Sequence, residues 1–117
     1  MATAEAQQLQ RPAARRTLYC YAHEHLTRTL RGLTGAQETA YAVAVERGYE
    51  LGPLFLEEDS SGSGMQALVD ALTLHDGAVA VAMPHRGHLI PLGGPQTWQT
   101  FLEVLTGHPV VFTSRTH

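Results

Sequence analysis

Four histidines stand in two short clusters, and each cluster follows an apolar run of the chain. The apolar runs cover residues 18–22 and 78–83, and the histidines that follow them are His23, His25, His85 and His88. Imidazole nitrogens are common Zn²⁺ ligands: three with an open fourth position make a catalytic site, and four make a closed structural site. His23 and His25 are two residues apart, so they could share one face of a strand and bind one ion together. A zinc site formed by the four histidines is therefore one hypothesis.

A simpler interpretation is that these imidazoles hydrogen-bond to neighbouring groups or to water, since histidine titrates near neutral pH without any metal. The chain has no HExxH or CxxC motif and no glycine-rich phosphate loop after its first strand, so metal-assisted hydrolysis has little support. We expect the remaining histidines to be ordinary surface residues; these are His75, His108 and His117.

Alternating apolar runs and amphipathic segments predict the elements that position these histidines. Strands are predicted over residues 18–22, 49–56, 78–83 and 110–112, and helices over residues 37–47, 65–74 and 97–105. Loops are predicted over residues 26–35 and 89–95, where glycine and proline accumulate. This order predicts the α/β class, a three-layer α/β/α arrangement with a mainly parallel sheet of about four strands and Rossmann-like topology. The two histidine clusters should then meet at the carboxyl edge of the sheet.

Side-chain patterns add detail to these elements. Pro53 predicts a bulge or an edge position in the second strand. Tyr19 and Tyr21 are expected in the core or on a sheet face, since aromatic residues are enriched in strands. In the last helix, an inward face is predicted from the spacing of Trp98, Phe101, Leu102 and Leu105.

Composition limits the classes of partner. The 117 residues carry a net charge of −3, and all eight basic residues are arginine, so no general cationic face for nucleic acid is expected. Cys20 is the single cysteine, which excludes an internal disulfide and fits a reducing cytoplasm as the location. No apolar stretch approaches the ~18 residues of a membrane span. We expect a disordered tail over residues 1–16 and one domain over residues 17–117.

Three stretches in order carry a resemblance to a known family. They read YAHEH at residues 21–25, EDSSG at residues 58–62 and PHRGHL at residues 84–89. The corresponding stretches of serine recombinases, the resolvase and invertase family, read Y-A-R-V-S, D-x-S-G and L-D-R-L-x-R. Over residues 17–113 the chain resembles the N-terminal catalytic domain of that family, which implies a resolvase-like fold.

The resemblance also implies a former active-site pocket, formed by Tyr21, His23, His25, Asp59, Ser60, His85 and Arg86. His25 occupies the position of the nucleophilic serine, and His23 occupies the position of an arginine. Recombination needs a hydroxyl nucleophile and arginine side chains that neutralise the pentavalent phosphate, and of the motif arginines only Arg86 is present. We therefore expect a degenerate active site and a chain that is not an enzyme.

Three functions follow as hypotheses. The first is a catalytically inactive, resolvase-like protein-interaction or regulatory module that needs no cofactor. It would form a homodimer or bind a protein through the outer faces of residues 41–45 and 98–105, and it would bind DNA weakly or not at all, because the family's DNA-binding tail has no counterpart before His117. The second is a small metal-binding protein or hydrolase that uses the four histidines and zinc. The third is a nucleotide or phosphate binder that uses Arg86 and residues 60–64.

Overall fold

The structure is a computed structural model that describes residues 16–27, 30–59 and 61–113. Inside the first two helices, the side chains of residues 25, 27, 30, 31 and 33 also lie outside the described part. The expected tail over residues 1–16 therefore falls outside it, except for Arg16, which begins the first strand.

Strands and helices alternate along the described chain. The strands are β1 (Arg16–His23), β2 (Glu50–Glu57), β3 (Ala78–Met83) and β4 (Val111–Phe112). The helices are α1 (Glu24–Thr27), α2 (Leu30–Arg47), α3 (Ser63–Leu74) and α4 (Pro95–Thr106), and a 3₁₀ helix covers Arg86–Leu92. Within the described ranges, none of these helices has the length and apolar content needed to cross a membrane.

The four strands form one sheet in the order β2-β1-β3-β4, and every neighbouring pair is parallel. Helix α2 covers one face, where Ala40 and Ala44 pack against Leu18 and Cys20 in one apolar cluster. Helices α3 and α4 cover the opposite face. The apolar cluster on this face contains Tyr19, Tyr21, Met65, Leu68, Leu102 and those side chains of β3 that point to the same side of the sheet. The predicted α/β class with three layers and a parallel four-stranded sheet is confirmed, and both tyrosines of β1 lie in the core.

A bulge interrupts the pairing of β2 with β1. The register shifts between Leu18 and Cys20, so Gly52 and Pro53 of β2 together stand opposite one residue of β1. A Cβ atom on Gly52 would lie 2.8 Å from Cγ2 of Thr17 and 3.2 Å from the carbonyl oxygen of Leu18, so a larger residue here would force Thr17 to rotate and would crowd the backbone of β1. Strand β2 is also an edge strand, which is where proline can be accommodated without breaking the ladder.

Helix α2 begins earlier than the sequence predicts, and the predicted loop over residues 26–35 is wrong. Helix α1 extends to Thr27, and α2 begins at Leu30 and contains both Gly32 and Gly35. A glycine inside a helix costs about 1 kcal/mol relative to alanine, a local penalty that tertiary packing routinely overrides. The other boundaries differ by smaller amounts, except that the predicted loop over residues 89–95 contains most of the 3₁₀ helix.

The predicted inward face of α4 is only partly correct. Leu102 is fully buried and Trp98 is half-buried, but 43% of Phe101 and 37% of Leu105 are exposed. The helix therefore contacts the sheet through a narrow stripe and leaves part of its apolar surface outside the core.

Candidate functional site

Polar side chains, most of them buried, collect at the carboxyl ends of β1 and β2 and just after β3. We call this set the strand-end cluster, and it consists of Tyr21, His23, Glu57, His85 and His88. Strand β2 pairs with one side of β1, and β3 pairs with the other side. The direction in which strands are added to the sheet therefore reverses at β1. Ligand sites of open α/β sheets lie at this kind of reversal. The strand-end cluster is therefore the place where chemistry should be sought.

Glu57, the last residue of β2, is completely buried and accepts three hydrogen bonds. Its Oε1 atom accepts from the Tyr21 hydroxyl at 3.0 Å and from the Met65 amide at 2.9 Å, while Oε2 accepts from the Gly64 amide at 3.0 Å. Helix α3 is preceded by Gly62, which has no side chain to cap the helix. The Glu57 carboxylate performs that role from the strand, and its negative charge faces the positive end of the helix dipole.

Gly64 permits this contact because the start of α3 lies directly against the end of β2. A Cβ atom at Gly64 would lie 2.9 Å from the carbonyl oxygen of Leu56 and 3.0 Å from Cα of Glu57. Both are backbone atoms, so no side-chain rotation could relieve the clash. A bound phosphate would have to displace Glu57 from the helix amides, so the geometry gives little support to the phosphate-binding interpretation of residues 60–64. Ser60 lies outside the described residues.

Tyr21 is a hydrogen-bond donor in this arrangement. Burial, followed by the hydrogen bond to Glu57 and the charge of that carboxylate, raises the pKa of the Tyr21 hydroxyl above its usual range. The hydroxyl therefore keeps its proton at neutral pH, and Tyr21 joins β1 to the buried carboxylate of β2 instead of acting as a nucleophile.

His88 is buried and neutral. The backbone N–H of His23 donates to Nδ1 of His88 at 2.9 Å, so that nitrogen is the unprotonated one. Burial is the main cause that lowers the pKa of His88 to about 4, and the nearby charges of His85 and His23 lower it further. His88 thus joins the 3₁₀ helix to the end of β1 through its acceptor nitrogen.

His85 caps the 3₁₀ helix and contacts His88. Its Nδ1 atom accepts a hydrogen bond from the Gly87 amide at 3.1 Å. The His85 and His88 rings meet edge to face, with centroids 4.7 Å apart. A Cβ atom on Gly87 would lie 2.6 Å from Cε1 of His85, so glycine allows the ring to fold over its own turn.

Two other residues of the expected pocket, Arg86 and Asp59, form hydrogen bonds with nearby residues. The Arg86 Nε atom donates to Oε1 of Gln99 in α4 at 2.7 Å, and its guanidinium lies 5.7 Å from the centroid of the Phe112 ring. Asp59 is exposed and accepts a hydrogen bond from the Ser61 amide at 2.9 Å. Hydrogen bonds from the Ser61 side chain and backbone, with a smaller contribution from His23, lower the pKa of Asp59.

The structure therefore brings together three of the four predicted histidines: His23, His85 and His88 adjoin at the carboxyl edge. The side chain of His25 lies outside the described part. Among the side chains that the structure describes, no group of three or more histidine, cysteine, aspartate or glutamate residues is arranged to hold a metal ion. Nδ1 of His88 is occupied by the His23 amide, so only Nε2 of that ring could bind metal. The four-histidine zinc site stays a prediction that depends on His25.

Sequence reasoning missed the roles of two polar residues. Glu57 had a detectable signal, since it ends an apolar strand and is followed by the serine and glycine residues that begin a helix. His75 was expected on the surface, but it is half-buried beside Tyr19. The Tyr19 hydroxyl and Nδ1 of His75 are 2.8 Å apart, and the two rings meet edge to face at 5.4 Å.

A cavity of about 210 Å³ lies on the other side of the sheet, beneath α2. Its lining is almost entirely apolar and includes the lone cysteine, Cys20. Burial raises the pKa of the Cys20 thiol to about 11, so the group stays protonated at neutral pH. The thiol therefore fills space as an apolar group, as its place inside the strand predicts.

Comparison with known proteins gives no relative from which a function could be transferred. No model of a protein family matches this chain, and a search of curated proteins finds no match.

Proposed function

We propose that this chain is a resolvase-like domain without recombinase activity, and that it works as a protein-interaction or regulatory module. Support comes first from the order of the motifs along a four-stranded parallel α/β fold. Support comes next from the departures: His25 stands where the family has its nucleophilic serine, and His23 stands where it has an arginine. The motif arginine that is present, Arg86, is bonded to Gln99 of α4. A domain with these substitutions lacks the hydroxyl and the arginine clamp that strand exchange requires.

One contrast carries the proposal: three polar side chains at the strand ends bond within the domain, while large apolar side chains on the helices face outward. Glu57, Tyr21 and His88 each use their polar atoms on other parts of the same fold. In contrast, 59% of Tyr41 and 61% of Val45 are exposed on α2. Adjacent exposed apolar side chains mark surfaces that contact other proteins.

The exposed face of α2 is the surface that we assign to self-pairing. Tyr41 and Val45 are four residues apart and so lie one above the other on the same side of the helix. Two copies that pair through this face would form a symmetric, self-complementary contact, which is the commonest arrangement of homodimers. The buried single thiol of Cys20 fits a reducing cytoplasm as the location of such a dimer.

Sedimentation equilibrium over micromolar to submillimolar concentration tests this proposal. The native chain should approach about twice its monomer mass of 12.7 kDa, and a variant with Tyr41→Ser and Val45→Ser should remain monomeric. The control is Leu74→Ser, which removes a side chain that is 83% exposed at the end of α3 and should leave dimerisation unchanged. A native chain that stays monomeric throughout would refute self-pairing, as would equal dimerisation of the double variant.

The metal-binding or hydrolase function and the nucleotide-binding function are less well supported. The first needs His25, whose side chain lies outside the described part, together with His85 and His88, each of which uses its Nδ1 atom within the fold. The second needs the amides of Gly64 and Met65, which Glu57 already occupies. DNA binding is expected to be weak or absent because the chain carries a net charge of −3.

A further inference from the structure

The apolar cavity of about 210 Å³ between α2 and the sheet extends to the carboxyl edge. There its lining includes Ala22 at the end of β1, Pro84 directly after β3 and Thr113 directly after β4. The direction of strand addition reverses at β1, and open α/β sheets bind their ligands at the carboxyl edge beside such a reversal. The cavity therefore lies where this class of fold holds small molecules.

The cavity and the strand-end cluster use opposite faces of the sheet. Successive side chains of a strand point to opposite faces. Cys20 and Ala22 line the cavity, whereas the side chains of Tyr19 and Tyr21 belong to the apolar cluster beneath α3 and α4. The Tyr21 side chain therefore points away from the cavity, and a ligand there would not have to displace its hydrogen bond to Glu57.

Small side chains leave this space unfilled. Ala36 and Ala40 are four residues apart on α2, and they line the cavity together with Ala22 and Ala82 of the sheet. Each of these side chains ends at Cβ, so the helix and the sheet meet here without interdigitating. Protein interiors are otherwise close-packed and contain few voids larger than a water molecule. A cavity of this volume is therefore a departure that a bound molecule would fill.

The lining selects an uncharged and mainly apolar molecule. None of the described residues that line the cavity carries a charge. The buried Thr113 is already bonded, since its amide and its hydroxyl both donate to the carbonyl oxygen of Met83, at 2.9 and 3.5 Å. Gln37 also lines the cavity, but it is exposed and so belongs to the solvent side. An ionised ligand would lose its hydration here without gaining a charged partner.

The volume limits the size of this ligand. An apolar cavity of about 150 Å³ stays dry and binds benzene, whereas pockets for drug-sized ligands measure about 300–1,000 Å³. A peptide helix, with a diameter of about 10 Å, is too wide for the space. We propose that the cavity beneath α2 binds an uncharged, apolar small molecule of the size of a substituted benzene ring. Self-pairing would use the outer face of α2, so the two proposals are independent.

Ethylbenzene and benzylammonium are matched probes because they have the same shape and differ in charge, and benzoate adds the opposite charge. Binding is followed by the methyl signals in NMR spectra, since the ring current of an aromatic ligand shifts the methyl groups that it contacts. Ethylbenzene should shift the signals of Ala40 and Ala82 with saturation. Each ion should bind at least about tenfold more weakly, because its charge would be buried without a partner. The Met65 methyl signal, from the opposite face of the sheet, should stay unchanged.

Filling the cavity should abolish binding. Ala36→Leu adds a larger apolar side chain to the lining, and Ala42→Leu makes the same change on the exposed side of α2. Ethylbenzene should no longer shift the Ala82 signal in Ala36→Leu, and it should bind Ala42→Leu as it binds the native chain. Circular dichroism checks the fold, and Ala40→Val replaces Ala36→Leu if that variant does not fold.

The proposal is overturned if ethylbenzene leaves the signals of Ala40 and Ala82 in place, if either ion binds as tightly, or if Ala36→Leu retains binding. A shift of the Met65 signal alone would also overturn it, because the ligand would then lie on the opposite face of the sheet. Sedimentation without any probe follows self-association separately, so failure of the cavity does not refute the proposed function, nor the reverse.

Discussion

The backbone N–H of His23 donates a hydrogen bond to Nδ1 of His88 at 2.9 Å, which ties the 3₁₀ helix to the carboxyl end of β1. A second connection crosses the same edge, where Tyr21 of β1 donates to Glu57 of β2. Glu57 in turn holds the first amides of α3. Together these hydrogen bonds join β1 to the 3₁₀ helix and to β2, and join β2 to the start of α3.

The buried neutral His88 should make stability depend on pH. The ordinary histidine pKa is about 6.5, and that of native His88 is about 4, so between these values the unfolded chain binds a proton that the native chain does not. The free energy of unfolding is then highest above pH 6.5 and falls, by roughly 2 to 3 kcal/mol from this group, as the pH decreases to about 4. Urea unfolding at several pH values measures the slope.

His88→Asn provides the comparison for this pH dependence, because the asparagine amide oxygen can still accept from the His23 amide but does not titrate. The free energy of unfolding should depend on pH more steeply in the native chain than in the variant, and this difference should be confined to the range between pH 4 and 6.5. His108→Asn, remote from the cluster, should keep the native slope. Identical slopes for the native chain and His88→Asn would contradict the burial of a neutral His88.

Replacing the buried carboxylate should destabilise the fold. In Glu57→Gln, one carboxylate oxygen is replaced by an NH₂ group, which is a donor and cannot accept a hydrogen bond. One backbone N–H at the start of α3 therefore loses its acceptor while it stays buried. Because hydrogen bonds to charged groups contribute about 1.5–3 kcal/mol, we expect the free energy of unfolding to fall by about 2 to 3 kcal/mol. The matched control is Glu58→Gln, an exposed neighbour whose change should stay within about 0.5 kcal/mol. Equal effects of the two substitutions would remove the capping role of Glu57.

Tyr21→Phe removes only the hydroxyl that donates to Glu57. A loss of about 1.5 kcal/mol is expected, since Glu57 keeps its two backbone donors but loses one charged hydrogen bond. Tyr41→Phe is the control because 59% of Tyr41 is exposed on α2. Thermal unfolding followed by circular dichroism compares the two, and a Tyr21→Phe protein as stable as native would show that the buried hydroxyl contributes nothing.

Two glycines in helices should respond in opposite directions to alanine. Gly64→Ala places a Cβ atom 2.9 Å from the Leu56 carbonyl oxygen, so the start of α3 must move away from β2 at a cost of about 2 kcal/mol or more. Gly35→Ala in α2 meets nothing within 4 Å and should stabilise by about 0.5–1 kcal/mol through helix propensity. Chemical denaturation gives both values. If Gly64→Ala were stabilising as well, the close packing of α3 on β2 would be wrong.

The sequence was most informative where local pattern and tertiary structure agree. The run at residues 78–83 is uniformly apolar and ends at Pro84, so β3 could be placed to the residue. Convergence of His23 with His85 and His88 followed from the parallel order of β1 and β3, since their carboxyl ends share an edge. The start of α2 could not be found this way, because Gly32 and Gly35 lower the helix propensity of residues 30–35, and glycines so placed are typical of a loop.

The roles of particular site residues required the three-dimensional contacts. Glu57 is one of three consecutive acidic residues, and only the position of α3 against the end of β2 distinguishes it from the exposed Glu58 and Asp59. Arg86 meets Gln99, which is 13 residues further along the chain in α4. No spacing rule connects a residue after a strand with a residue on the side of the next helix, so this contact could not be predicted.

We propose that the strand-end cluster stabilises the fold and neither holds a metal nor catalyses a reaction. Zinc titration of the untagged protein, with melting temperature as the readout, tests it most directly, and a His25→Ala and His85→Ala double variant is measured beside it. A metal that binds only the native state at 100 times its Kd would add about 2.7 kcal/mol. We predict no rise, or an equal small rise in both proteins. A large rise in the native protein that disappears in the double variant would contradict the claim and establish a metal site at the strand ends.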